Sequence, residues 1–204
     1  MEPKTKLDVS KAQAAQIRAA VQNVRQINDE NGCSKLVQPH HAPEILELLK
    51  DERVSGDVYT LPRPFSLQSV TDWILDHQAQ ARAGDGLLLY ARDEHGKIMS
   101  VTDFQFWPKW SACEFGGVIA HTHQNQSLGT TGVKAMCDFA FKTIGVRLIA
   151  LTSSTENIRS QKIIEHLGFT QMGEMDSVRP DGSVRRSLYW EMERGGIRKS
   201  STQL

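Results

Sequence analysis

Apolar residues return along this chain with two different periods, and the changes of period divide it into elements. Ile17, Val21, Val24 and Ile27 recur at helical spacing behind the capping candidates Asp8 and Ser10, so residues 9–29 are expected to form a helix that Asn28 to Gly32 ends. A short strand at residues 36–38 and a short helix at 40–49 follow, the helix placing Ile45, Leu46 and Leu49 on one face. Residues 56–64 carry Leu61-Pro62 and Arg63-Pro64, and proline holds the residue before it in extended backbone. From Ser66 a second helix brings Val70, Trp73, Ile74 and His77 to one side and stops at Gly84 to Gly86. Strand patterns at 87–91, 98–106 and 111–120 are joined by short turns and predict an antiparallel meander. Val133, Met136, Cys137, Ala140, Phe141 and Ile144 then restore the helical period. A strand at 147–152, a helix at 156–167 and two strands at 169–178 and 184–193, turning at Pro180-Asp181-Gly182, complete the pattern.

This order predicts an α/β fold of the α+β kind: one mostly antiparallel sheet with flanking helices. A single parallel strand pair is joined through the helix at 129–144. The 204 residues suit one domain, with residues 1–30 read as a helical extension, 31–195 as the domain and 196–204 as a disordered tail. Lys plus Arg and Asp plus Glu both number 24, so nothing draws the whole molecule to nucleic acid or a membrane surface. No apolar run approaches the roughly 20 residues that span a bilayer, and the first ten residues are polar, which leads to the expectation of a cytoplasmic protein. Cys33, Cys113 and Cys137 lack the spacing of a metal or redox motif and read as ordinary reduced thiols.

One stretch carries chemistry. Gln126-Ser127-Leu128-Gly129-Thr130-Thr131-Gly132 lies between a predicted strand and an amphipathic helix. Glycines let another molecule approach the backbone, and the free N–H groups of a helix start favour an anion. The arrangement therefore fits a pyrophosphate cradle, and it fits simple helix capping too. Neither a Walker loop nor a dinucleotide fingerprint is present. Further on, Asn157 and Ser160 sit one helical turn apart, and Leu167-Gly168-Phe169 ends that helix and opens a strand. Gly116-Gly117, inside a strand pattern, suggests a bulge or splay that frees backbone N–H groups, or two glycines that avoid a neighbouring helix.

Together, the glycine-threonine segment, the Asn-x-x-Ser pair and Leu-Gly-Phe resemble the Gcn5-related N-acetyltransferase (GNAT) superfamily over residues 34–193. Within it, Tyr59-Thr60-Leu61-Pro62-Arg63-Pro64, Trp73-Ile74 and Glu114-Phe115-Gly116-Gly117-Val118-Ile119 are similar to the branch of the ribosomal-protein N-terminal acetyltransferases. The resemblance implies the acyl-coenzyme A N-acyltransferase fold with a splayed parallel pair. It also implies acetyl-coenzyme A as co-substrate, no metal, and direct attack of an amine on the thioester. Residues 126–132 would hold the pyrophosphate, Val118 and Ile119 the pantetheine arm, and Asn157 the reactive end. Ser160 would hydrogen-bond the sulfur. Two positions depart from the pattern: Thr131 stands where relatives carry Gly or Ala, and Ile164 where many carry a tyrosine that protonates the thiolate.

Glu114 is the candidate base, and it reads equally as a structural carboxylate. His121 and His123 share one face if the strand continues through them, but with no third ligand they read as surface residues. An α-amine, whose ordinary pKa is about 8, needs less help from a base than a lysine at about 10.4. A protein N-terminus or a small-molecule amine is thus the expected acceptor of a monomer or homodimer. Arg179, Arg185 and Arg186 read as solvated hairpin charges, and Trp107, Trp110 and Trp190 as packing or groove residues. The alternative function is a non-catalytic coenzyme A-binding sensor or interaction module; transfer of a longer acyl chain is a third reading.

Overall fold

The computed structural model describes residues 2–29, 32–124 and 128–195. The expected tail at 196–204 and the loop residues Gln126 and Ser127 lie outside them. Eight strands form one sheet: β1 (Gln26–Asp29), β2 (Gly32–Leu36), β3 (Gly86–Arg92), β4 (Ile98–Trp107), β5 (Ala112–Ile119), β6 (Leu148–Ser154), β7 (Thr170–Val178) and β8 (Val184–Glu193). Their order is β1-β2-β3-β4-β5-β6-β8-β7. Every pairing is antiparallel except β5 with β6, as expected for the strands joined through a crossover helix.

The helices are α1 (Lys11–Gln22), α2 (Ala42–Leu49), α3 (Glu52–Ser55), α4 (Leu67–Ala83), α5 (Leu128–Asp138) and α6 (Ile158–Leu167). Ser10 caps α1 through a box with Gln13, and Ser66 caps α4, whose end at Gly84 adopts the left-handed conformation that glycine allows. A turn of wider helix at residues 139–144 extends α5. Alternation along the strands sorts side chains between two cores. Phe104, Phe106, Cys113, Phe115, Ile149, Leu151 and Trp190 face α1, α5 and α6. Leu88, Val101 and Val118 face α2 and α4.

Two local expectations are corrected. The first helix stops at Gln22, and Gln26–Asp29 is a strand that pairs with β2. Val24 and Ile27 are buried as expected, but from a turn and a strand. The glycine-threonine segment opens a helix as expected, α5 starting at Leu128, one residue before the expected 129. The strand expected to reach residue 120 stops at Ile119, and His121–His123, expected to alternate onto one face behind it, form a tight turn. Among the described residues, no helix is long and apolar enough to cross a membrane.

Candidate active site

The parallel pair supplies the opening. β5 and β6 are in register for only three pairs, Ala112↔Leu148, Cys113↔Ile149 and Glu114↔Ala150. Beyond Glu114 they diverge, and from Phe115 to Ile119 β5 has a described strand partner only on its β4 side. The suggested bulge at Gly116-Gly117 is absent, since pairing with β4 runs unbroken from Ser100↔Ile119 to Trp107↔Ala112. The splay, and not a bulge, frees the β6-facing side of this strand. A Cβ on Gly116 would meet open space, whereas one on Gly117 would press into the Val101 carbonyl oxygen.

A cavity of about 720 Å³ occupies this gap. Because the sheet is open there, the cavity communicates with both faces. On the α5/α6 side it is lined by Gly129, Gly132, Asn157, Ser160 and Ile164, and along β5 by Val118 and Ile119. On the other side it is lined by Tyr59, His77, Asp103, Glu114, Thr152 and Arg185. Thr130 and Thr131 share the first turn of α5 but are not part of the lining. In the first turn of a helix the backbone N–H groups point toward the helix start, and none has an acceptor one turn earlier in the same helix. Gly129 has a packing role as well: a Cβ there would crowd Ile163 of α6 at 3.1 Å. Gly132 faces open space.

Asn157 caps α6, its side-chain oxygen accepting the Ser160 N–H at 3.0 Å. Ser160 is half-buried at the cavity wall, and Arg159 ties the start of α6 to Gln124 after β5 at 3.2 Å. Ile164 is buried beside them, so no phenol reaches the cavity from that position.

Glu114 lies on the opposite face, 8% exposed. The Tyr59 hydroxyl reaches its two oxygens at 3.0 and 3.1 Å, and the Thr152 hydroxyl donates to one of them at 3.3 Å. Burial raises the Glu114 pKa above the usual carboxylate range, while these donors act to lower it. Burial and the neighbouring Glu114 push the Tyr59 phenol upward, so it stays protonated and remains a donor. Arg185 is buried against this group. It donates to Thr152 at 3.1 Å and stacks on the Tyr59 ring at 4.7 Å. Beside it, His77 joins Asp103 through Nε2 at 2.8 Å and donates from Nδ1 to the Trp73 carbonyl at 2.9 Å.

The sequence reading missed Arg185 as a site residue, because a hairpin arginine looks solvated in isolation. A signal was present: Arg185, Ser187, Tyr189 and Glu191 alternate on one face of β8, and all four are buried. Polar side chains at every second position of a central strand mark a polar site within the fold. Trp190 lies in the core, away from any groove, and Cys113 and Cys137 are buried thiols; burial pushes the Cys137 pKa up to about 12.

A splayed parallel pair in a mixed sheet opens a cavity with a helix start beside it, a concave site of the kind that enzymes use. Residues 35–170 match the family model described as the acetyltransferase (GNAT) domain, and the chain belongs to that family. No curated protein sequence matches it. Among solved structures it is similar to Mycobacterium smegmatis RimJ in complex with CoA-disulfide: 16% identity, 82% of this chain and 84% of that one, TM-score 0.69. The ribosomal-protein-S5-alanine acetyltransferase from Vibrio fischeri is similar over 86% of this chain and all of that one, with 15% identity and a TM-score of 0.70. RimL, the ribosomal L7/L12 alpha-N-protein acetyltransferase, in complex with coenzyme A, is similar over 79% of this chain and 93% of that one, with 13% identity and a TM-score of 0.68. At these identities the likeness establishes the fold.

Proposed function

We propose that this acetyltransferase moves the acetyl group of acetyl-coenzyme A to a primary amine, with a protein N-terminus as the favoured acceptor class. The observation that carries this is the cavity through the sheet, with a helix start on one face and a buried, hydrogen-bonded carboxylate on the other. The backbone groups of residues 128–132, preceded by Gln126 and Ser127, hold the pyrophosphate. The freed edge of β5 at Val118 and Ile119 takes the pantetheine arm, as a strand edge takes an extended partner. Asn157 orients the reactive end by holding the start of α6. The acceptor nitrogen enters from the Glu114 face and attacks the thioester carbonyl. A C–N bond forms, the C–S bond breaks, and the nitrogen's proton passes to Glu114. Ser160 donates a hydrogen bond to the departing sulfur, a role that Ile164 cannot fill. An α-amine fits this site because a single carboxylate with a raised pKa suffices for a nitrogen that is already partly neutral near pH 8. Two neighbours with ribosomal-protein acceptors in their names support the same class.

Calorimetry with coenzyme A and steady-state transfer to a panel of amines test this reading. Glu114→Gln should lower kcat by about 10²- to 10⁴-fold with little change in the KM for acetyl-coenzyme A. In the unaltered protein, kcat/KM should fall as pH drops through a value above the ordinary carboxylate range, and that acidic limb should vanish in the variant. Ser160→Ala should reduce kcat more than it weakens cofactor binding. Tight coenzyme A binding with no transfer to any amine would replace the transferase with a coenzyme A sensor; no binding at all would reject both.

A further inference from the structure

The first residues of the described chain double back over the acceptor side of the sheet. Ahead of α1, the main chain of residues 2–8 passes Arg147, which donates to the Asp8 carbonyl at 2.6 Å, and bends at residues 4 and 5. There the Lys4 N–H donates to the Tyr189 hydroxyl at 2.9 Å, and the Thr5 N–H to a Glu191 oxygen at 2.9 Å. The Thr5 hydroxyl bonds the other Glu191 oxygen, and Pro3 is buried. The outer contacts are weaker in kind. Glu2 pairs with Lys6 at 3.2 Å and Lys109 at 3.3 Å, both exposed, and Lys6 lies over the Trp110 ring.

Two of the three hydrogen bonds from residues 4 and 5 to Tyr189 and Glu191 use backbone N–H groups, which almost any residue supplies. Their place relative to the candidate base follows from the sheet. Glu191 is opposite Ala150, and Ala150 is opposite Glu114, so the two carboxylates stand on one face two strands apart. That is roughly 9–10 Å, or about three residues of extended chain. Tyr189 is opposite Thr152, whose hydroxyl donates to Glu114.

We propose that Tyr189 and Glu191 hold the main chain of a peptide acceptor about three residues beyond its reacting amine, a track that residues 2–6 of this chain occupy as an internal competitor. The inference rests on the transferase reading above and names a specificity determinant for it. An incoming peptide displaces the arm and takes over its two N–H bonds. A small amine reaches Glu114 without touching the track.

Thr5→Pro tests this, since proline has no N–H to give Glu191 and leaves the groove intact; deletion of residues 2–6 is the second variant. Faster tryptic cleavage after Lys6 reports release of the arm, and thermal unfolding reports folding. With an alanyl pentapeptide as acceptor, both variants should lower the peptide KM by about tenfold, the worth of one or two such bonds. The KM for benzylamine should stay unchanged. Adding Glu191→Ala, or Glu191→Gln should the alanine variant unfold early, should raise the peptide KM again and leave that for benzylamine alone. A synthetic peptide of residues 2–8 should bind the Thr5→Pro protein in calorimetry and lose that binding with Glu191→Ala. An unchanged peptide KM after demonstrated arm release overturns the proposal, as does equal peptide affinity with and without the Glu191 carboxylate. If no amine is acetylated by any form, the transferase reading fails on its own, and the calorimetric pair still decides the track.

Discussion

Gly116 and Gly117 are adjacent in sequence yet answer to different physical demands. Gly117 is required by packing: any side chain there drives into the Val101 carbonyl of the neighbouring strand. Gly116 faces open space at the gap. Gly117→Ala should therefore cost about 1–3 kcal/mol in urea unfolding, the usual penalty of overpacking, while Gly116→Ala should leave stability within about 0.5 kcal/mol. The same substitution at Gly116 should raise the KM for acetyl-coenzyme A if the freed edge of β5 takes the pantetheine arm. Glu114 could be named from sequence as a candidate base, but its partners could not. Tyr59, Thr152 and Arg185 come from three distant segments, and no periodicity links them. The shift in the Glu114 pKa belongs to that gathering, because it arises first from burial.

At the scale of elements, long amphipathic segments were legible and short ones were not. The period of α4 alone identified its four buried residues, Val70, Trp73, Ile74 and His77. β1 was hidden because Gln26–Asp29 has one buried apolar residue, Ile27, and four residues contain no measurable alternation. Only its pairing with β2 makes it a strand. The match to the family model begins at residue 35, and we propose residues 1–30 as an addition to the shared domain. Within them, residues 17–27 are firmly attached. Ile17, Val21, Val24 and Ile27 are buried in the same core as Phe104 and Trp190. Ile17→Ala should cost about 2–5 kcal/mol in denaturant unfolding, as for a residue of any domain core. A separate low-denaturant transition of α1, with the main transition unmoved, would show instead that the helix is only docked.

On the scale of the whole molecule, the decisive feature is a sheet that opens in its middle and lets two faces share one cavity. Charged groups on the Glu114 face are held there by the fold itself. His77 is the clearest case: the Trp73 carbonyl and the Asp103 carboxylate face its two ring nitrogens. Burial alone would depress its pKa, but the hydrogen bond and charge of Asp103 outweigh burial and raise it, with Asp76 adding on its own helix. A raised folded value gives stability that is fully present below the unfolded pKa of about 6.5 and is lost as pH rises through the folded one. The stability difference between native protein and His77→Asn should therefore be largest below about pH 6.5 and shrink as pH rises through the raised folded value, measured by urea unfolding; a difference that grows with pH would contradict the assignment. The sequence by itself determined the fold class, the parallel pair and the family, because hydrophobic period and short glycine motifs are local properties of the chain. Tertiary structure alone decided where the strands part, which polar side chains meet at Glu114, and that residues 2–8 lie across the Glu114 face of the sheet. Those are contacts between segments as much as 186 positions apart, and long-range contact is set by the packing of the whole chain, which no local pattern encodes.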